Sequence, residues 1–371
     1  MNRNTLPKQA KEAAIAAGIL KRRRKVLRRS LLSLGLAAVF LTAVILIDCF
    51  VFPLKYIWSL TVQADVSRRK EGELRVHFLD AGQGDCTLIE FPDGSTMLID
   101  GGTDELYWER SMLGYCFALG IERFDAVMLT HVHSDHAGGL DEALDCFGAD
   151  TVYVPYCSDD SVNAVYAEFM QSLEKSGAEA VVSQMYQTIL PKEGEYRYFG
   201  MLLAPFSPQI DESAYNAAGY PYDSEAANDA SAVLYVEYAG RNILFTGDAS
   251  AKVEERLVED FIATDGAAFA VEAEMPWGRE TIIPRLQQLD FLKAGHHGGS
   301  SASSAMLAGY SSPERVFFSC GAGNAYGHPS LDTIAMFEEY SPGVQFYRTD
   351  ELGTIVLTIR ANGEYSIEAQ S

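Results

Sequence analysis

An apolar run of 22 residues, LLSLGLAAVFLTAVILIDCFVF at positions 31–52, constrains the fold more than any other part of this sequence. It contains one charged residue, Asp48, near its C-terminal end. A helix of this length extends about 33 Å, which is enough to cross the hydrocarbon core of a bilayer. The sequence therefore predicts one transmembrane helix over residues 31–53.

Charge is distributed very unevenly on the two sides of this run. Residues 1–30 contain ten Lys or Arg and one acid, whereas residues 31–371 contain 19 basic and 50 acidic residues. Basic segments that flank a membrane helix stay on the cytoplasmic side. We therefore expect a single-pass protein of the cell membrane, with a cytoplasmic N-terminal tail over 1–30 and an extracellular domain after residue 53.

A cleaved signal peptide is the alternative to an uncleaved anchor. Val62-Gln63-Ala64 would suit a small-residue cleavage site, but it lies about ten residues beyond the apolar run. An uncleaved anchor is favoured on that ground. A polar linker is expected over residues 54–73, followed by one domain over residues 74–371.

Short strand-like segments alternate with amphipathic helical segments from residue 74 onward. CTLIEF and STMLIDGG flank a Pro-Asp-Gly turn, which is a strong signal for a β-hairpin. The predicted helices cover about 104–119, 136–147, 161–176, 250–262 and 330–340. This interleaving predicts an α/β (α+β) fold in which helices cover two packed sheets.

The segment LTHVHSDHAGG (129–139) places three histidines and an aspartate directly after a strand-like stretch. Alternate residues of an extended segment project to one side, so His131 and His133 can bind one metal ion together. Asp135 and His136 follow a turn and are placed to reach a second ion. Imidazole and carboxylate ligands suit Zn, Mn or Fe.

Two later strand-like segments also end in side chains of the metal-ligand type. ILFTGD ends in Asp248, and FLKAGHHGG delivers His296 and His297, in each case beside a glycine that allows close approach. A lone histidine at a strand end is more often structural. Several such residues together with the histidine motif predict a metal centre.

These motifs carry a family resemblance. HVHSDH, LIDGG, FTGD and the late histidine resemble the metallo-β-lactamase superfamily, and DAGQGD, LKAGHHGGSS and GNAYGHPS are similar to the C-terminal hydrolase domain of the ComEC DNA-uptake (competence) family. The resemblance covers about residues 74–360. It implies a four-layer αββα metallo-β-lactamase-like sandwich preceded by the transmembrane helix. We expect the hydrolase domain alone, carried on one anchor without the family's multi-helix channel.

The resemblance also implies two divalent metal ions, Zn or Mn, and no organic cofactor. The implied ligands of one ion are His131 and His133. Those of the other ion are Asp135, His136 and His296. Asp248 is implied to bridge both ions.

Two features depart from the family pattern. ComEC domains often lack one histidine of the HVHSDH motif, whereas the motif is complete here. The superfamily's further histidine has no counterpart, because no histidine lies between His136 and His296. The corresponding segment offers only Cys157, Asp159 and Asp160. We therefore expect the ion at His131 and His133 to be weakly held or completed by water.

The expected chemistry is attack by a metal-activated water that Asp135 orients. His297 is the predicted proton donor to the leaving oxygen. The alternative for His297 is that it only positions His296.

Binding of a phosphate group is predicted from two glycine-rich segments. Backbone amides and hydroxyls of GGSSASS (298–304), at the start of a predicted helix, are expected to hold an anion. Asn324 and His328 in NAYGHP are predicted donors to the substrate. The alternative is that residues 327–329 form only a turn.

Other residues receive supporting roles. Asp100 is expected to brace the loop behind the ligands, and Asp80 and Gln83 to line the pocket. His77 is interpreted as structural. Residues 265–284 are interpreted as an insertion near the mouth of the site.

Three hypotheses about function remain open. The first is a phosphodiesterase or nuclease that acts on DNA, including single-stranded DNA. The acidic ectodomain is unfavourable for this, unless a local patch around Lys293 and Arg348 compensates. The second is hydrolysis of a non-nucleic-acid phosphodiester or ester of the cell envelope. The third is a catalytically weak binding protein, which the complete ligand set argues against. β-Lactamase activity is the least favoured.

Overall fold

The computed structural model describes residues 8–50, 53–62, 64, 66–156, 163–192, 194–206 and 224–370. The chain divides into two compact units, Met1–Ile57 and Trp58–Ser371.

The first unit is built around one long helix, α1 (Lys8–Phe50). Its stretch Ala10–Asp48 is long and apolar enough to cross a membrane, by length and composition. This confirms the predicted apolar helix near the N-terminus. The helix also includes the described part of the basic segment before residue 31, so tail and apolar run are continuous in secondary structure. The orientation of this helix across a membrane stays a prediction.

The second unit contains two large sheets. In its described residues the first sheet has eight strands in the order β17-β16-β1-β2-β3-β4-β5-β6. Their bounds are β1 Leu74–Phe78, β2 Thr87–Glu90, β3 Thr96–Ile99, β4 Phe124–Met128, β5 Ala149–Val154, β6 Glu179–Val182, β16 Thr354–Ile359 and β17 Tyr365–Gln370. Strands β2 and β3 form the antiparallel hairpin predicted from Pro-Asp-Gly.

The second sheet has seven described strands in the order β15-β14-β13-β10-β9-β8-β7. Their bounds are β7 Thr188–Ile189, β8 Tyr198–Ala204, β9 Val233–Tyr238, β10 Arg241–Phe245, β13 Phe291–Lys293, β14 Arg315–Phe318 and β15 Gln345–Arg348. Strands β10, β13, β14 and β15 are parallel. Their C-terminal ends therefore meet at one edge of the sheet.

The main core lies between the two sheets. Alternate side chains of each strand point inward, so Val76 and Phe78 of β1 join one buried cluster with Phe245 of β10 and Phe317 of β14. The rings of Phe78 and Phe317 stack with centroids 4.2 Å apart. This contact joins the two sheets face to face.

Helices cover the outer faces of both sheets. The described helices of the second unit are α2 Leu106–Leu119, α3 Ser134–Ala137, α4 Leu140–Cys146, α5 Ala164–Ser176, α6 Ser224–Asp229, α7 Ala251–Thr264, α8 Ala305–Ser311, α9 Leu331–Tyr340 and α10 Thr349–Leu352. Tyr115 of α2 contacts His77 on the outer face of β1, and α7, α8 and α9 contribute to the cluster on the outer face of the second sheet. The predicted αββα layers are confirmed.

The helix predicted over 136–147 is wrong in one respect, because it is split into α3 and α4. The break falls at Gly138-Gly139, where Gly139 has a φ of +70°. A Cβ on Gly101 would lie 2.0 Å from the carbonyl oxygen of Gly138. Direct backbone contact between these two glycine loops therefore requires the break, and it fixes the loop after β3 against the histidine motif.

The sequence interpretation placed residues 265–284 near the mouth of the site, and this is wrong. The segment forms a separate hairpin, β11 Val271–Met275 and β12 Gly278–Ile282. Glu280 in this hairpin pairs with Arg197, just before β8 begins. Because β8 runs parallel to β10, its start lies at the opposite end of the sheet from Asp248. Met275 and Ile282 pack into the outer core, so burial of these apolar side chains holds the hairpin there.

Candidate metal centre

The ligand-type residues predicted from the sequence meet at one edge of the two sheets. His131 and His133 follow β4 of the first sheet, Asp248 follows β10, and His296 and His297 follow β13 of the second sheet. Ligand sites at the carboxyl ends of strands are common in α/β folds. The structure places these residues as the strand-end argument predicted.

The first group of potential ligands consists of His131, His133 and Asp248. His131 is fully buried, and its Nε2 lies 2.9 Å from Nδ1 of His133 and 3.9 Å from Oδ2 of Asp248. One ligand atom from each residue falls within 4.8 Å of the others. This arrangement can hold one ion.

The second group consists of four buried residues, Asp85, His136, Asp248 and His297. Nε2 of His136 lies 3.2 Å from Oδ1 of Asp248. Nε2 of His297 lies 3.8 Å from Oδ2 of the same carboxylate. Asp248 therefore belongs to both groups, which is the arrangement that a bridging ligand requires.

Buried oxygen atoms hold the far side of two imidazoles. Nδ1 of His136 lies 2.8 Å from Oδ2 of Asp100. Nδ1 of His297 hydrogen-bonds to the carbonyl oxygen of Ser319 at 2.9 Å and lies 3.0 Å from Oδ1 of Asp85. Such partners fix the ring so that the other nitrogen faces the centre.

The predicted bracing role of Asp100 is confirmed. Besides contacting His136, its carboxylate accepts hydrogen bonds from the backbone amide and the hydroxyl of Thr130 at 2.7 and 2.8 Å. Asp100 thereby connects the loop after β3 to the histidine motif. Its φ of +57° lies in the left-handed region, which is a strained conformation for a residue with a side chain.

His296 and His297 face in different directions. Both have positive φ angles, 49° and 55°, in the tight turn after β13. The turn directs His297 into the buried group, while the half-buried His296 places its Nε2 3.7 Å from Oδ2 of Asp248. The sequence assigned the metal to His296 and the proton to His297. The structure brings both to Asp248, and the division of roles stays a prediction.

Asp135 lies beside His297 at the open side of the centre. Its Oδ2 is 3.2 Å from Nε2 of His297. Burial favours the neutral acid, but the hydrogen bond from His297 and the charge of His136 hold the pKa of Asp135 well below its usual range. The carboxylate is therefore ionised at neutral pH.

In the second group of potential ligands, the carboxylates of Asp85 and Asp248 face two protonated imidazoles, those of His136 and His297. Burial lowers the pKa of His136 and His297, but the neighbouring carboxylates outweigh it, so the pKa of His136 is raised well above the usual value and that of His297 is raised to about 10. Burial lowers the pKa values of His131, His133 and His296, which favours their neutral, ligating forms. A cation bound through Nε2 of His136 would replace the proton on that ring.

The residues present fit a divalent cation. Among the side chains that the structure describes, Oδ1 of Asp85, Nε2 of His136 and Oδ1 of Asp248 are buried and lack hydrogen-bond geometry to any partner. Buried polar atoms are normally satisfied, and the three residues belong to one group of potential ligands, in which Nε2 of His136 lies 3.2 Å from Oδ1 of Asp248. Imidazole and carboxylate donors suit Zn or Mn. This set of donor atoms can therefore bind a divalent metal ion.

Asn324 and His328 lie in the loop above the centre. Oδ1 of Asn324 accepts from the His328 amide at 2.9 Å, and its Nδ2 donates to the carbonyl oxygens of His328 and Gly321. Asn324 therefore stabilises its own turn, and its amide is not directed to a substrate as predicted. His328 stacks on His297 with ring centroids 6.1 Å apart. Burial and, after it, the neighbouring His297 and His296 lower the pKa of His328 to about 4, so it is neutral.

Part of the anion site predicted in GGSSASS is occupied by a side chain of the protein. Backbone amides of Ser303 and Ser304 donate to the buried carboxylate of Glu254 on α7. The hydroxyl of Ser301 lies 2.8 Å from Nδ1 of His296. These groups hold the histidine turn in place and are not free to bind phosphate.

Lys293 and Arg348, around which a basic patch could have compensated the acidic charge, are both paired with carboxylates. Lys293 is buried and pairs with Asp85. Arg348 pairs with Asp350 at 2.6 Å and with Glu351 at 3.0 Å. The charge of Lys293 is neutralised inside the protein, and that of the partly exposed Arg348 is neutralised by its two carboxylate partners.

The sequence interpretation missed Asp85 and Glu254. It predicted that Asp80 and Gln83 line the pocket, and the structure bears this out for Gln83 only. Asp85 lies in DAGQGD, where only Asp80 and Gln83 were singled out. Gln83 contacts Nδ1 of His328 at 3.5 Å and lines the site, whereas Asp80 lines a separate cavity with Trp108. The structural role of His77 is confirmed by its buried contacts to Tyr115 and Glu90.

Cys157, Asp159 and Asp160 lie outside the described residues. A contribution of this segment to the first ion stays a prediction.

Comparison with known proteins places this site in a family context. Residues 79–156 match the sequence model described as the Metallo-beta-lactamase superfamily. The chain is 24% identical over 302 residues to ComE operon protein 3 of Bacillus subtilis, covering 77% of this chain and 33% of that protein. It is 26% identical over 293 residues to Competence protein ComA of Neisseria gonorrhoeae, covering 79% and 33%.

A more distant similarity connects the chain to a ribonuclease. It is 23% identical over 219 residues to Endoribonuclease ysh-1 of Neurospora crassa, covering 56% of this chain and 24% of that protein. The chain thus spans about a third or less of the length of these relatives.

Proposed function

Because the chain carries a metallo-β-lactamase superfamily hydrolase domain similar to that of ComEC-family competence proteins, we propose that it is a membrane-anchored, extracytoplasmic phosphodiesterase that acts on DNA. The observation that carries the proposal is Asp248, which is buried and shared between two groups of potential ligands. A carboxylate in this position supports a centre for two divalent ions, Zn or Mn. The similarity to an endoribonuclease supports phosphodiester chemistry.

The proposed ligands divide between the two groups. His131 and His133 hold one ion with Asp248, and His136 holds the other with Asp248. Asp135 and His296 complete the second position. When bound, the ions supply positive charge that activates water and stabilises the charge developing on a phosphoryl oxygen.

The surrounding side chains orient the reacting groups. Asp135, ionised at the open side of the centre, accepts a hydrogen bond from the attacking water and so sets its direction. His297 holds a proton on Nε2, 3.2 Å from Asp135, and donates it to the leaving oxygen. The buried partners Asp100 and Asp85 keep the rings of His136 and His297 in register with Asp248.

His296→Gln and His297→Gln form a matched pair that separates ligand from proton donor. Loss of a ligand lowers metal affinity, whereas loss of a proton donor lowers kcat while the metal content stays the same. We expect the first behaviour for His296→Gln and the second for His297→Gln. Metal analysis of both purified variants beside their kcat values decides the assignment, and the reverse pattern would exchange the two roles.

A second candidate function is hydrolysis of a non-nucleic-acid phosphodiester or ester of the cell envelope. It is favoured by the 50 acidic residues against 19 basic ones after residue 30. Lys293 and Arg348 do not relieve this charge, because both are paired with carboxylates. Phosphate backbones normally select basic surfaces.

The two candidates are separated by substrate. The full-length chain in detergent, loaded with Mn²⁺ or Zn²⁺, is incubated with end-labelled single-stranded DNA and with bis-p-nitrophenyl phosphate, beside an Asp248→Ala control. Cleavage of both supports the DNA proposal, and cleavage of the small diester alone favours the second candidate. Turnover no higher than that of Asp248→Ala on either substrate would exclude both.

The proposed topology is tested independently. Protease added to intact cells should digest residues after 53 and leave the basic N-terminal tail protected. Protection of the C-terminal domain would reverse the orientation.

A further inference from the structure

Tyr326 is an exposed aromatic residue at the mouth of the metal centre that the proposed chemistry does not use. It lies in the loop between β14 and α9, and 74% of its surface is exposed. Exposed large aromatic side chains in a recognition site commonly bind a flat partner. Its position relative to the centre indicates which partner.

A row of rings connects Tyr326 to the buried histidines. The ring of Tyr326 lies over that of His328, with centroids 5.6 Å apart and planes 29° apart. His328 in turn stacks on His297 at 6.1 Å and 24°. His328 covers the face of Tyr326 that is turned toward the centre, so a ligand can stack only on the exposed remainder of the ring, two rings from the side chain that lies beside Asp248.

The loop that presents Tyr326 is held in shape by its own hydrogen bonds. Asn324 bonds to the amide and the carbonyl of His328, so the turn that contains Tyr326 is closed on both sides. The amide of Ser330 donates to the carbonyl of Gly298, which connects the loop to the histidine turn. A ring fixed in this way loses little further freedom when a ligand stacks on it.

We propose that Tyr326 is the stacking platform for a nucleobase of the substrate, next to the phosphodiester bond at the metal centre. The inference rests on the proposed function and names its substrate class as base-bearing diesters. Stacking on an aromatic ring tolerates any base, because every base has a π-face, and the contact itself is made to the base and not to the phosphate. It therefore offers an acidic domain a means of holding a nucleic acid that does not depend on contacts between basic side chains and the phosphate backbone.

Two substrates with the same leaving group test this in the full-length chain in detergent. One is the p-nitrophenyl ester of thymidine 5′-monophosphate and the other is methyl p-nitrophenyl phosphate, which has no base. The measured quantity is the kcat/KM of the thymidine ester divided by that of the methyl ester. We expect Tyr326→Ala to lower this ratio roughly tenfold, as loss of one base stack predicts, and Tyr326→Trp to restore it. Tyr340→Ala, an exposed tyrosine at the far end of α9, is the matched control and should keep the ratio.

A binding measurement keeps this test independent of turnover. Oligothymidylate should bind the full-length chain more tightly than an abasic strand of equal length, and Tyr326→Ala should remove most of that difference. If neither ester is hydrolysed, the proposed function fails, while the binding difference still decides the role of Tyr326. An unchanged ratio and an unchanged binding difference in Tyr326→Ala would overturn the inference, as would equal binding of both strands by the unaltered chain.

Discussion

Replacement of Lys293 by methionine should destabilise the second unit, Trp58–Ser371, strongly. The side chain of Lys293 is 3% exposed, and its ammonium pairs with Oδ2 of the equally buried Asp85. Burial favours the neutral form of Asp85, but Lys293 and His297 hold its pKa below the usual value, so the carboxylate is charged. Methionine keeps most of the lysine volume while it removes the charge. The variant therefore leaves a buried carboxylate without its main partner.

The magnitude follows from the burial of the pair. Removal of one partner of a buried ion pair typically costs about 3–5 kcal/mol. Nδ1 of His297 remains 3.0 Å from the other Asp85 oxygen and compensates in part, so we expect a loss near the lower limit. The double variant Asp85→Asn/Lys293→Met removes both charges, and its stability should lie within about 1 kcal/mol of that of the unaltered unit.

The assay is urea unfolding of residues 58–371 without metal, with the slope of the transition checked to be unchanged. Lys252→Met is the matched control, because its side chain is 83% exposed and pairs with Asp229 at the surface. An exposed pair of this kind contributes less than about 1 kcal/mol. The reasoning is refuted if Lys293→Met is no more destabilising than Lys252→Met, or if the double variant is no more stable than Lys293→Met.

Three further predictions concern single side chains near the centre. Asp248→Asn should abolish binding at both metal positions and lower kcat at least 100-fold, as measured by metal analysis and turnover. Asp100→Asn should weaken metal binding about 10- to 100-fold by calorimetry, because it releases the ring of His136. Burial raises the pKa of Glu254 to about 7 from an ordinary 4.5, against the amides of Ser304 and Ser303, with Glu255 raising it further. The folded state therefore holds this proton more tightly than the unfolded state does. The contribution of Glu254 to the free energy of unfolding should be complete below pH 4.5 and fall by about 3 kcal/mol as the pH rises through 7. Urea unfolding at pH 5 and 8 measures this decline, and Glu254→Gln should remove it.

The layers and the location of the centre were predictable because their signals are local in sequence. HVHSDH directly follows the apolar strand β4, and Asp248 directly follows β10, so strand ends alone bring these residues to one edge. The Pro-Asp-Gly hairpin is equally local. Such patterns need no knowledge of how distant parts of the chain pack.

The role of Asp85 was not predictable for the opposite reason. Its partner Lys293 is 208 positions away, and the pair forms only when the turn between β1 and β2 meets the end of β13. The directions of His296 and His297 depend on positive φ angles within one turn. Neighbouring histidines in a sequence give no indication of which one a turn directs inward.

The position of residues 265–284 and the loss of the anion site have a related cause. The hairpin is held at the far end of the sheet by apolar packing of Met275 and Ile282. Glu254, on a different helix, accepts hydrogen bonds from the amides that a phosphate would have needed. Competition between a ligand and an internal side chain for the same donors is decided by tertiary packing and not by the loop sequence.

The most direct test of the account is a metal titration of phosphodiester hydrolysis. The full-length chain, stripped of metal in detergent, is titrated with Mn²⁺ or Zn²⁺ while release of p-nitrophenolate from bis-p-nitrophenyl phosphate is followed. We predict no turnover in the stripped chain, turnover that rises to a plateau as metal is added, and none at any metal concentration in Asp248→Ala. Turnover that persists after metal removal, or equal turnover in Asp248→Ala, would contradict a metal centre assembled around this carboxylate.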